Sequence, residues 1–301
     1  MKVVLAVSSY NGDMAALGVA GAATAAELNG VFMKVAVIDS GERERCDVLR
    51  DSLAEHHSHV EYRWHAGNLG SAGNLVERLR WAHGTGADAV LAVNADGVLI
   101  AENVLRMLGL LERAEAAVVY PAHVMEGERV DLSGCRRVPI LPSRLPLSRL
   151  EGRRVIQVRW GSSNCALYRL GALGSVALDN IASLWYGWED LGIGLSLDAA
   201  GHPQLMCLEA VQPTVSDQKH LSRTNLLVSE KAPWTTYYSV RNLVLLGRQH
   251  PKRTLRITLR ILREFVMILL RDRRVPRYAQ AIRGLTDGLR GRTGQRVEPT
   301  E

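Results

Sequence analysis

Short apolar runs alternate with helical segments along the N-terminal third of the chain, and this alternation limits the folds that it can adopt. Val3–Val7 predicts a strand that ends in a polar turn, and the alanine-rich segment Met14–Leu28 predicts a helix. Lys34–Ile38 predicts the next strand. Strands that are separated by helices form βαβ units, in which neighbouring strands pair in parallel. The sequence therefore predicts an α/β protein with a mixed, mostly parallel sheet.

Both predicted strands end in polar residues. Ser9, Tyr10 and Asn11 follow the first strand, and Asp39 follows the second. Open α/β sheets bind their ligands beyond the carboxyl ends of the parallel strands. These four residues are therefore candidate ligand contacts.

A further candidate site follows the apolar run Ala89–Val93, which predicts a buried strand. Asn94 and Asp96 supply two side-chain oxygens just beyond its end. Mg²⁺ and Mn²⁺ prefer oxygen ligands and keep coordination positions open for phosphate groups. The pair can therefore hold a cation that is bound to a diphosphate, although a polar turn without a ligand has the same sequence.

The glycine-rich segment Gly67–Asn74 precedes a predicted helix. Its glycines are spaced G-x-x-G-x-x-G, whereas the dinucleotide fingerprint is G-x-G-x-x-G directly after the first strand. A hydride-transfer enzyme is therefore poorly supported. The segment is either a turn that needs glycine or a loop whose backbone approaches a ligand closely.

The aromatic segment Trp185–Trp188 leads into the acidic pair Glu189-Asp190 and a predicted helix. Aromatic faces stack on sugar rings, and a carboxylate beside them can accept the proton of a hydroxyl group. An ordinary helix start, with buried tryptophans and acids in the first turn, gives the same pattern.

The basic charge of the chain lies in its C-terminal tail. From Arg241 to Glu301 there are 15 Lys/Arg and 5 Asp/Glu residues, a net charge of +10, and the remainder has 22 against 26, or −4. Nucleic-acid-binding proteins more often carry basic charge on the folded domain beside aromatic or recognition-helix signals, which are absent here. The sequence therefore predicts no nucleic-acid partner.

Long helices follow Pro233, and one of them is amphipathic. Its apolar positions are Leu255, Leu259, Leu262, Val266 and Leu269, and its basic positions are Arg256, Arg260 and Arg263. We expect the apolar face to pack on the catalytic domain, the commoner arrangement. Peripheral contact with an anionic membrane surface is the alternative.

Cysteine usage favours a reducing compartment. Cys46, Cys135, Cys165 and Cys207 are scattered, without the spacing of a zinc site or a disulfide framework. Lys2 is followed by only five apolar residues, too few for a signal peptide. The expected location is the cytoplasm, with the inner face of the membrane as the alternative.

Seven short motifs occur in order from the N-terminus to the tail. They are Val7–Asn11, Val37–Gly41, Asn68–Asn74, Asn94–Asp96, Glu189-Asp190, Tyr237–Asn242 and Asp287–Arg292. In this order they resemble glycosyltransferase family 2, most closely its rhamnosyltransferase-like branch. The resemblance implies a GT-A-like nucleotide-binding fold with a C-terminal helical extension.

The resemblance also implies roles for individual residues. Asp190 would be the catalytic base and Glu189 would position the acceptor, which Trp185 and Trp188 would contact. Asp96 would bind Mg²⁺ or Mn²⁺ on the donor's phosphates. The nucleotide-sugar contacts would be Ser9, Tyr10, Asn11, Asp39, Asn68, Gly70, Asn94 and Asp96.

Two departures from the family pattern affect the metal. Asn94 stands where the family has the first acid of D-x-D, so one negative charge is missing. The family often adds a metal-binding histidine after the base. His220 is the candidate for that role, and Asp217 is the alternative.

We expect residues 1–235 to form the catalytic domain, with a donor-binding half (1–115) and an acceptor-binding half (116–235), and residues 236–301 to form the basic helical extension. The implied activity is inverting transfer of a sugar, rhamnose-like or another hexose, from a UDP- or dTDP-sugar. The acceptor would be a hydroxyl of a glycan, lipid-linked glycan or natural product. The alternatives are a nucleotidyltransferase and a non-catalytic nucleotide-sugar-binding protein.

Overall fold

The computed structural model describes residues 1–25, 27–125, 129–132, 134, 144–146, 150, 152–213, 232–268 and 275–299. The strands in these ranges are β1 Val3–Ser8, β2 Phe32–Gly41, β3 Glu61–Ala66, β4 Ala89–Val93, β5 Val118–Met125, β6 Arg129–Asp131, β7 Arg144–Pro146, β8 Val155–Val158, β9 Ala166–Arg169 and β10 Gln204–Pro213. The α-helices are α1 Ala15–Thr24, α2 Arg43–His56, α3 Gly70–Gly84, α4 Ala101–Ala114, α5 Leu178–Ala182, α6 Glu189–Ala199, α7 Pro233–Gln249, α8 Thr254–Met267 and α9 Val275–Leu289.

The strands form one sheet in the order β3-β2-β1-β4-β9-β5-β10-β8, and β6 pairs with β5 and β7. Strands β1 to β4 pair in parallel, as do β5 and β10. By contrast, β9 is antiparallel to β4 and β5, and β8 is antiparallel to β10. The predicted mixed α/β sheet is confirmed, but parallel pairing prevails only in its N-terminal half.

The N-terminal half of the sheet is a packed core. Val4–Val7 of β1 and Ala36–Ile38 of β2 have no accessible surface. The small side chains Ala16 and Ala20 let α1 pack closely against this apolar layer. Because β1, β2 and β4 are parallel, their carboxyl ends share one edge of the sheet. That edge carries the polar residues that the sequence indicates.

The chain divides into two compact units. The first takes its described residues from Met1–Leu69, Asn74–Asp179 and Ile193–Val215. The second takes its described residues from Gly70–Gly73, Asn180–Gly192 and Ser216–Glu301. The segment that carries Asp190 is therefore grouped with the C-terminal helices, whereas the expected boundary at residue 235 would separate them.

Helices α7 and α9 pack at close range in the second unit. A Cβ atom on Gly288 of α9 would lie 2.7 Å from Cβ of Val244 and 2.9 Å from the carbonyl oxygen of Arg241, both in α7. The hydroxyl of Tyr237 donates a hydrogen bond of 2.9 Å to the buried Asp287. A glycine contact and a buried polar pair thus join the two helices.

Helix α8 packs through a different face from the one that the sequence analysis selects. Ile257 and Ile268 are buried, and Ile261 and Phe265 are partly buried against the core of this unit. The predicted packing residues are instead exposed: Leu255 by 74%, Leu259 by 40%, Leu262 by 55% and Val266 by 48%. The helix has two apolar stripes, and the β-branched and aromatic one packs. Leu269 lies outside the described residues. None of the described helices combines the length and apolar character that are needed to span a membrane.

Candidate functional site

A fully buried carboxylate organises the turn after β1. Oδ1 of Asp39 accepts hydrogen bonds from the backbone amides of Ser40 (2.8 Å) and Gly12 (3.5 Å). Its Oδ2 accepts a hydrogen bond of 3.0 Å from the hydroxyl of Tyr62. Burial and the Asp39 carboxylate raise the pKa of Tyr62 well above its usual value, so this hydroxyl remains a donor. Asp39 has no accessible surface, so in this structure it supports the turn instead of facing a ligand.

The predicted contacts Ser9, Tyr10 and Asn11 differ in their accessibility. Ser9 is buried, and its Oγ accepts a hydrogen bond of 3.0 Å from the amide of Asp13. Asn11 has a left-handed backbone conformation, with φ of 52°, and its Oδ1 accepts a bond of 2.9 Å from the amide of Glu42. Tyr10 is exposed. Of the three side chains, that of Tyr10 is therefore the most open to a ligand.

A helix side chain ties the ends of β1 and β2 together. Nδ2 of the buried Asn74 donates hydrogen bonds to the carbonyl oxygens of Ser9 (3.3 Å) and Ile38 (3.0 Å). Its Oδ1 has no hydrogen-bond partner within the described structure. Asn68, which precedes α3, is half-buried.

The turn after β4 contains a buried cation that the sequence analysis does not identify. Arg78 is buried, and it donates hydrogen bonds to the carbonyl oxygen of Val93 (3.0 Å) and to Oδ1 of Asn94 (3.4 Å). Oδ1 of Asn94 also accepts a bond of 3.4 Å from the hydroxyl of Ser8. The side-chain oxygen of Asn94 therefore already accepts hydrogen bonds from two protein donors.

Asp96 is exposed beyond this turn. Burial, followed by the Asp96 carboxylate, raises the pKa of the Cys165 thiol to about 12, while Arg78 acts in the opposite direction. Asp96 and Arg78 therefore both act electrostatically on one buried residue. The turn is further fixed by Oδ1 of Asn164, which accepts a hydrogen bond of 3.0 Å from the amide of Asn94. Asn164 is a second residue that sequence reasoning missed.

In the second unit, the segment before α6 has an unusual backbone. Trp185 and Trp188 both have left-handed φ angles, 61° and 67°, and Gly187 between them has φ of 76°. Bulky residues rarely adopt this conformation, which raises the free energy by about 1–3 kcal/mol for each residue. Such strain persists only where surrounding contacts hold it.

The contacts that hold this segment come from α7. Nδ2 of Asn242 lies within 3.0 Å of three carbonyl oxygens, those of Leu184, Tyr186 and Gly187. The fully buried Arg241 donates to the carbonyl oxygen of Leu184 (2.6 Å) and to Oδ1 of Asn242 (2.9 Å). The Tyr237–Asn242 motif therefore positions the aromatic segment.

Gly70, at the start of α3, also contacts this segment. Its φ is 66°, and a Cβ atom there would lie 2.0 Å from the carbonyl oxygen of Trp185. The amide of Ala72 donates a bond of 3.1 Å to that same oxygen. The chain's own backbone thus approaches Gly70 closely, and this contact accounts for the glycine.

Trp185 is not available to an acceptor in this structure. It is 5% exposed, because it packs in an aromatic cluster with Tyr237 and Tyr238. Trp188 is half-buried, its indole donates a bond of 3.0 Å to the carbonyl oxygen of Ser239, and the Arg260 guanidinium lies 4.3 Å from its ring centre. One face of Trp188 is covered, and acceptor contact by these two tryptophans stays a prediction.

The aromatic surface that stays partly exposed belongs to other residues. Tyr186 and Trp234 are partly buried and lie edge to face, with their ring centres 4.7 Å apart. Sequence reasoning missed Trp234, which lies far from Trp185 along the chain.

The acidic pair begins α6. Glu189 and Asp190 are both half-buried in its first turn, and Oδ1 of Asp190 accepts a hydrogen bond of 2.7 Å from the amide of Leu191. A helix N-terminus stabilises the ionised form of a carboxylate. The predicted metal candidates Asp217 and His220 lie outside the described residues.

Comparison with protein-family models finds one match, to "Glycosyl transferase family 2", over residues 23–176. This match covers half of the chain. The chain belongs to glycosyl transferase family 2. No curated protein sequence matches it.

Solved structures support the GT-A fold of this family 2 chain. The S. aureus TarS fragment 1–349 in complex with UDP-GlcNAc is 14% identical, with a TM-score of 0.59, and the match covers 97% of this chain and 82% of the fragment. The same fragment without that ligand has 14% identity and a TM-score of 0.53, with 97% and 81% covered. At this level of identity the likeness shows the fold.

Two buried arginines of this family 2 chain stand at positions where the sequence itself indicates burial. In α3, Arg78 stands three residues after the buried Leu75 and four before the buried Ala82. This is the spacing of an apolar helix face, so a charged residue there has to be buried or to reach a polar group. Arg241 stands in the same way within the buried face of α7.

Proposed function

We propose that this family 2 chain is an inverting glycosyltransferase that moves a hexose from a nucleoside diphosphate sugar to an acceptor hydroxyl. The observation that carries the proposal is the sheet edge at the carboxyl ends of the parallel strands β1, β2 and β4, where the exposed Asp96 follows the end of β4. A carboxylate at this position can hold a divalent cation, which neutralises the diphosphate of a nucleotide sugar. The UDP-GlcNAc in the TarS complex supports a donor of this class.

Asp96 would be the protein ligand of a divalent cation. The described residues contain no group of three or more His, Cys, Asp or Glu that suits a metal, and the Asn94 side-chain oxygen already accepts two hydrogen bonds. The cation would therefore take its other ligands from the donor's phosphates and from water. When bound, Mg²⁺ or Mn²⁺ would neutralise the departing diphosphate. His220 and Asp217, the other candidate ligands from the sequence, lie outside the described residues.

The nucleotide would lie over the turn after β1. Tyr10 is the accessible side chain there, and Asp39 would act by holding the backbone amides of Ser40 and Gly12 in place. Asn68 would contact the donor as well. The resemblance to rhamnosyltransferases favours a dTDP-linked rhamnose-like sugar, with UDP-hexoses as the other donor class.

In the second unit, Asp190 would be the general base. The acceptor oxygen would attack the anomeric carbon as the bond to the diphosphate breaks, and the hydroxyl proton would pass to the Asp190 carboxylate. Glu189 would position the acceptor. Tyr186 and Trp234 offer the partly exposed aromatic surface that a sugar ring needs, and the half-buried Trp188 would also contact the acceptor.

The decisive experiment incubates the purified chain with UDP-, dTDP- and GDP-hexoses in the presence of Mn²⁺, Mg²⁺ or EDTA. Thermal shift reports donor binding, and the release of nucleoside diphosphate reports turnover. We expect one nucleotide class to stabilise the chain in a metal-dependent way and to be slowly cleaved. Release of pyrophosphate from a nucleoside triphosphate and a sugar phosphate would indicate a nucleotidyltransferase instead. Binding that never leads to cleavage, with any hydroxyl acceptor supplied, would indicate a non-catalytic protein.

A further inference from the structure

Helix α8 presents an apolar stripe to solvent. Leu255, Leu259, Leu262 and Val266 recur every three or four residues, and each is at least 40% exposed. Isolated exposed leucines are common on protein surfaces, but a continuous row along one helix face indicates an interaction surface. The opposite stripe already packs in the core of this unit, so the helix needs the exposed row for no internal contact.

An apolar groove lies beside this stripe, between α7, α8 and α9. Its volume is about 640 Å³, and its walls include Leu243 and Val244 of α7, Phe265 of α8 and Leu285 of α9. Leu262 belongs both to the groove and to the exposed stripe. Ile282 and Leu289 also line the groove and are exposed by 43% and 64%. The stripe and the groove therefore form one continuous apolar surface.

Among the described residues, the exposed charged side chains of α8 and α9 are basic. Lys252, Arg263, Arg283 and Arg290 are exposed on or near α8 and α9. The acidic side chains of these two helices are less accessible to solvent. Asp287 is buried and bonded to Arg292 and Tyr237, and Glu264 is half-buried. In the helical repeat, Glu264 falls on the side away from the leucine row. A partner of this surface therefore needs an apolar region that can contact the leucine side chains and a negative charge that can pair with the basic residues.

We propose that α8 and α9 dock on an anionic lipid bilayer, with the leucine row among the acyl chains and the basic residues among the headgroups. An amphipathic helix with this arrangement lies in the interfacial plane about 5–10 Å deep. A second copy of the chain would bring two strongly positive tails together, which like-charge repulsion opposes. A nucleic acid would satisfy the positive charge but not the leucines.

The test is co-flotation of the full chain with vesicles of phosphatidylcholine alone, or of phosphatidylcholine mixed with phosphatidylglycerol. We expect binding to the mixed vesicles that falls steeply as salt rises. The triple variant Leu255→Gln, Leu259→Gln, Leu262→Gln should bind about tenfold less for each leucine removed. Gln keeps helix propensity at exposed sites, so the variant should remain folded. Leu105→Gln, a 50% exposed leucine of α4, is the matched control and should bind normally.

A second set of variants tests the basic residues. Arg263→Gln combined with Arg290→Gln should lower the partition coefficient by about fivefold for each charge removed. Equal binding to neutral and anionic vesicles, or no binding to either, would overturn the proposal. The proposal would also be overturned if light scattering without lipid showed concentration-dependent dimers. This outcome requires that the triple leucine variant, and no other variant, abolishes the dimers. Because none of these experiments measures sugar transfer, their outcomes are independent of the proposed enzymatic activity.

Discussion

The hydroxyl of Tyr62 in β3 lies 3.0 Å from Oδ2 of Asp39 in β2 and donates a hydrogen bond to it. The same hydroxyl lies 3.0 Å from the carbonyl oxygen of Cys46 in α2, so its single proton is shared between two acceptors. One phenol thus joins an edge strand, a helix and the carboxylate that holds the turn after β1. The buried carboxylate is therefore held in place by Tyr62, and it in turn holds the backbone amides of the turn after β1.

Removal of this hydroxyl should destabilise the first unit. Tyr62→Phe leaves a buried carboxylate oxygen without its donor, so the free energy of unfolding should fall by about 1–3 kcal/mol. Urea titration measures the change, and Tyr10→Phe is the control because Tyr10 is exposed and should be neutral. Nucleotide affinity should fall as well, since the amides of Ser40 and Gly12 would be less well held. A Tyr62→Phe protein of unchanged stability would show that the hydrogen bond contributes little.

Asn242 should be the main support of the aromatic segment. Asn242→Ala removes the two N–H donors of an amide nitrogen that lies within 3.0 Å of three carbonyl oxygens, so we expect the free energy of unfolding to fall by about 2–3 kcal/mol. The strained Trp185–Trp188 backbone should also relax, which near-UV circular dichroism of the tryptophans would report. Asn180→Ala, at an exposed position in α5, should change neither quantity. Unaltered tryptophan signals in Asn242→Ala would contradict this assignment.

The packing of α7 on α9 should tolerate no side chain at Gly288. Gly288→Ala places a Cβ atom 2.7 Å from Val244, so the helices must move apart, at about 1–3 kcal/mol. Gly18→Ala in α1 is the matched control, because a Cβ atom there meets nothing within 4 Å. The control should stabilise the chain by about 0.5–1 kcal/mol, since alanine restricts the unfolded chain. The two alanine variants should therefore shift the melting temperature in opposite directions.

The sequence is sufficient for the framework of the first unit. The apolar runs that end at Val7, Ile38 and Val93 are strands of the sheet, and the residues after them share one edge. It does not reveal β3, Glu61–Ala66, whose residues are mostly polar. β3 is the last strand at its end of the sheet, where one side faces solvent and charged residues are tolerated.

The sequence could not predict which side chains are buried by residues that lie far away along the chain. Trp185 resembles a sugar-binding tryptophan until Tyr237 and Tyr238, more than fifty residues away, are seen to enclose it. Helix α8 carries two apolar stripes of the same period, and periodicity alone cannot tell which one packs. In both cases the local pattern is insufficient, because burial is a property of the assembled helices.

Asp96 should be required for the effect of metal on donor binding. Asp96→Ala removes the carboxylate from an exposed turn, so the fold should persist while the gain in nucleotide affinity from Mn²⁺ disappears. Calorimetric titration with and without EDTA measures that gain. Asp51→Ala, an exposed acid of α2, should keep it. Metal dependence that survives in Asp96→Ala would assign the cation to other residues.

Asp190 should be needed for transfer but not for donor binding. A hydroxyl is a poor nucleophile near neutral pH, so inversion requires a base that takes its proton as the bond to carbon forms. Asp190→Asn keeps the size of the side chain and an oxygen for the Leu191 amide, but it cannot accept the proton. Donor affinity should therefore survive while transfer falls by about 10²–10⁴-fold. Glu189→Gln should raise the KM for the acceptor with a smaller loss of kcat. If Asp190→Asn transfers sugar at close to the original rate, the base lies elsewhere, and Asp217 and His220 are the next residues to replace.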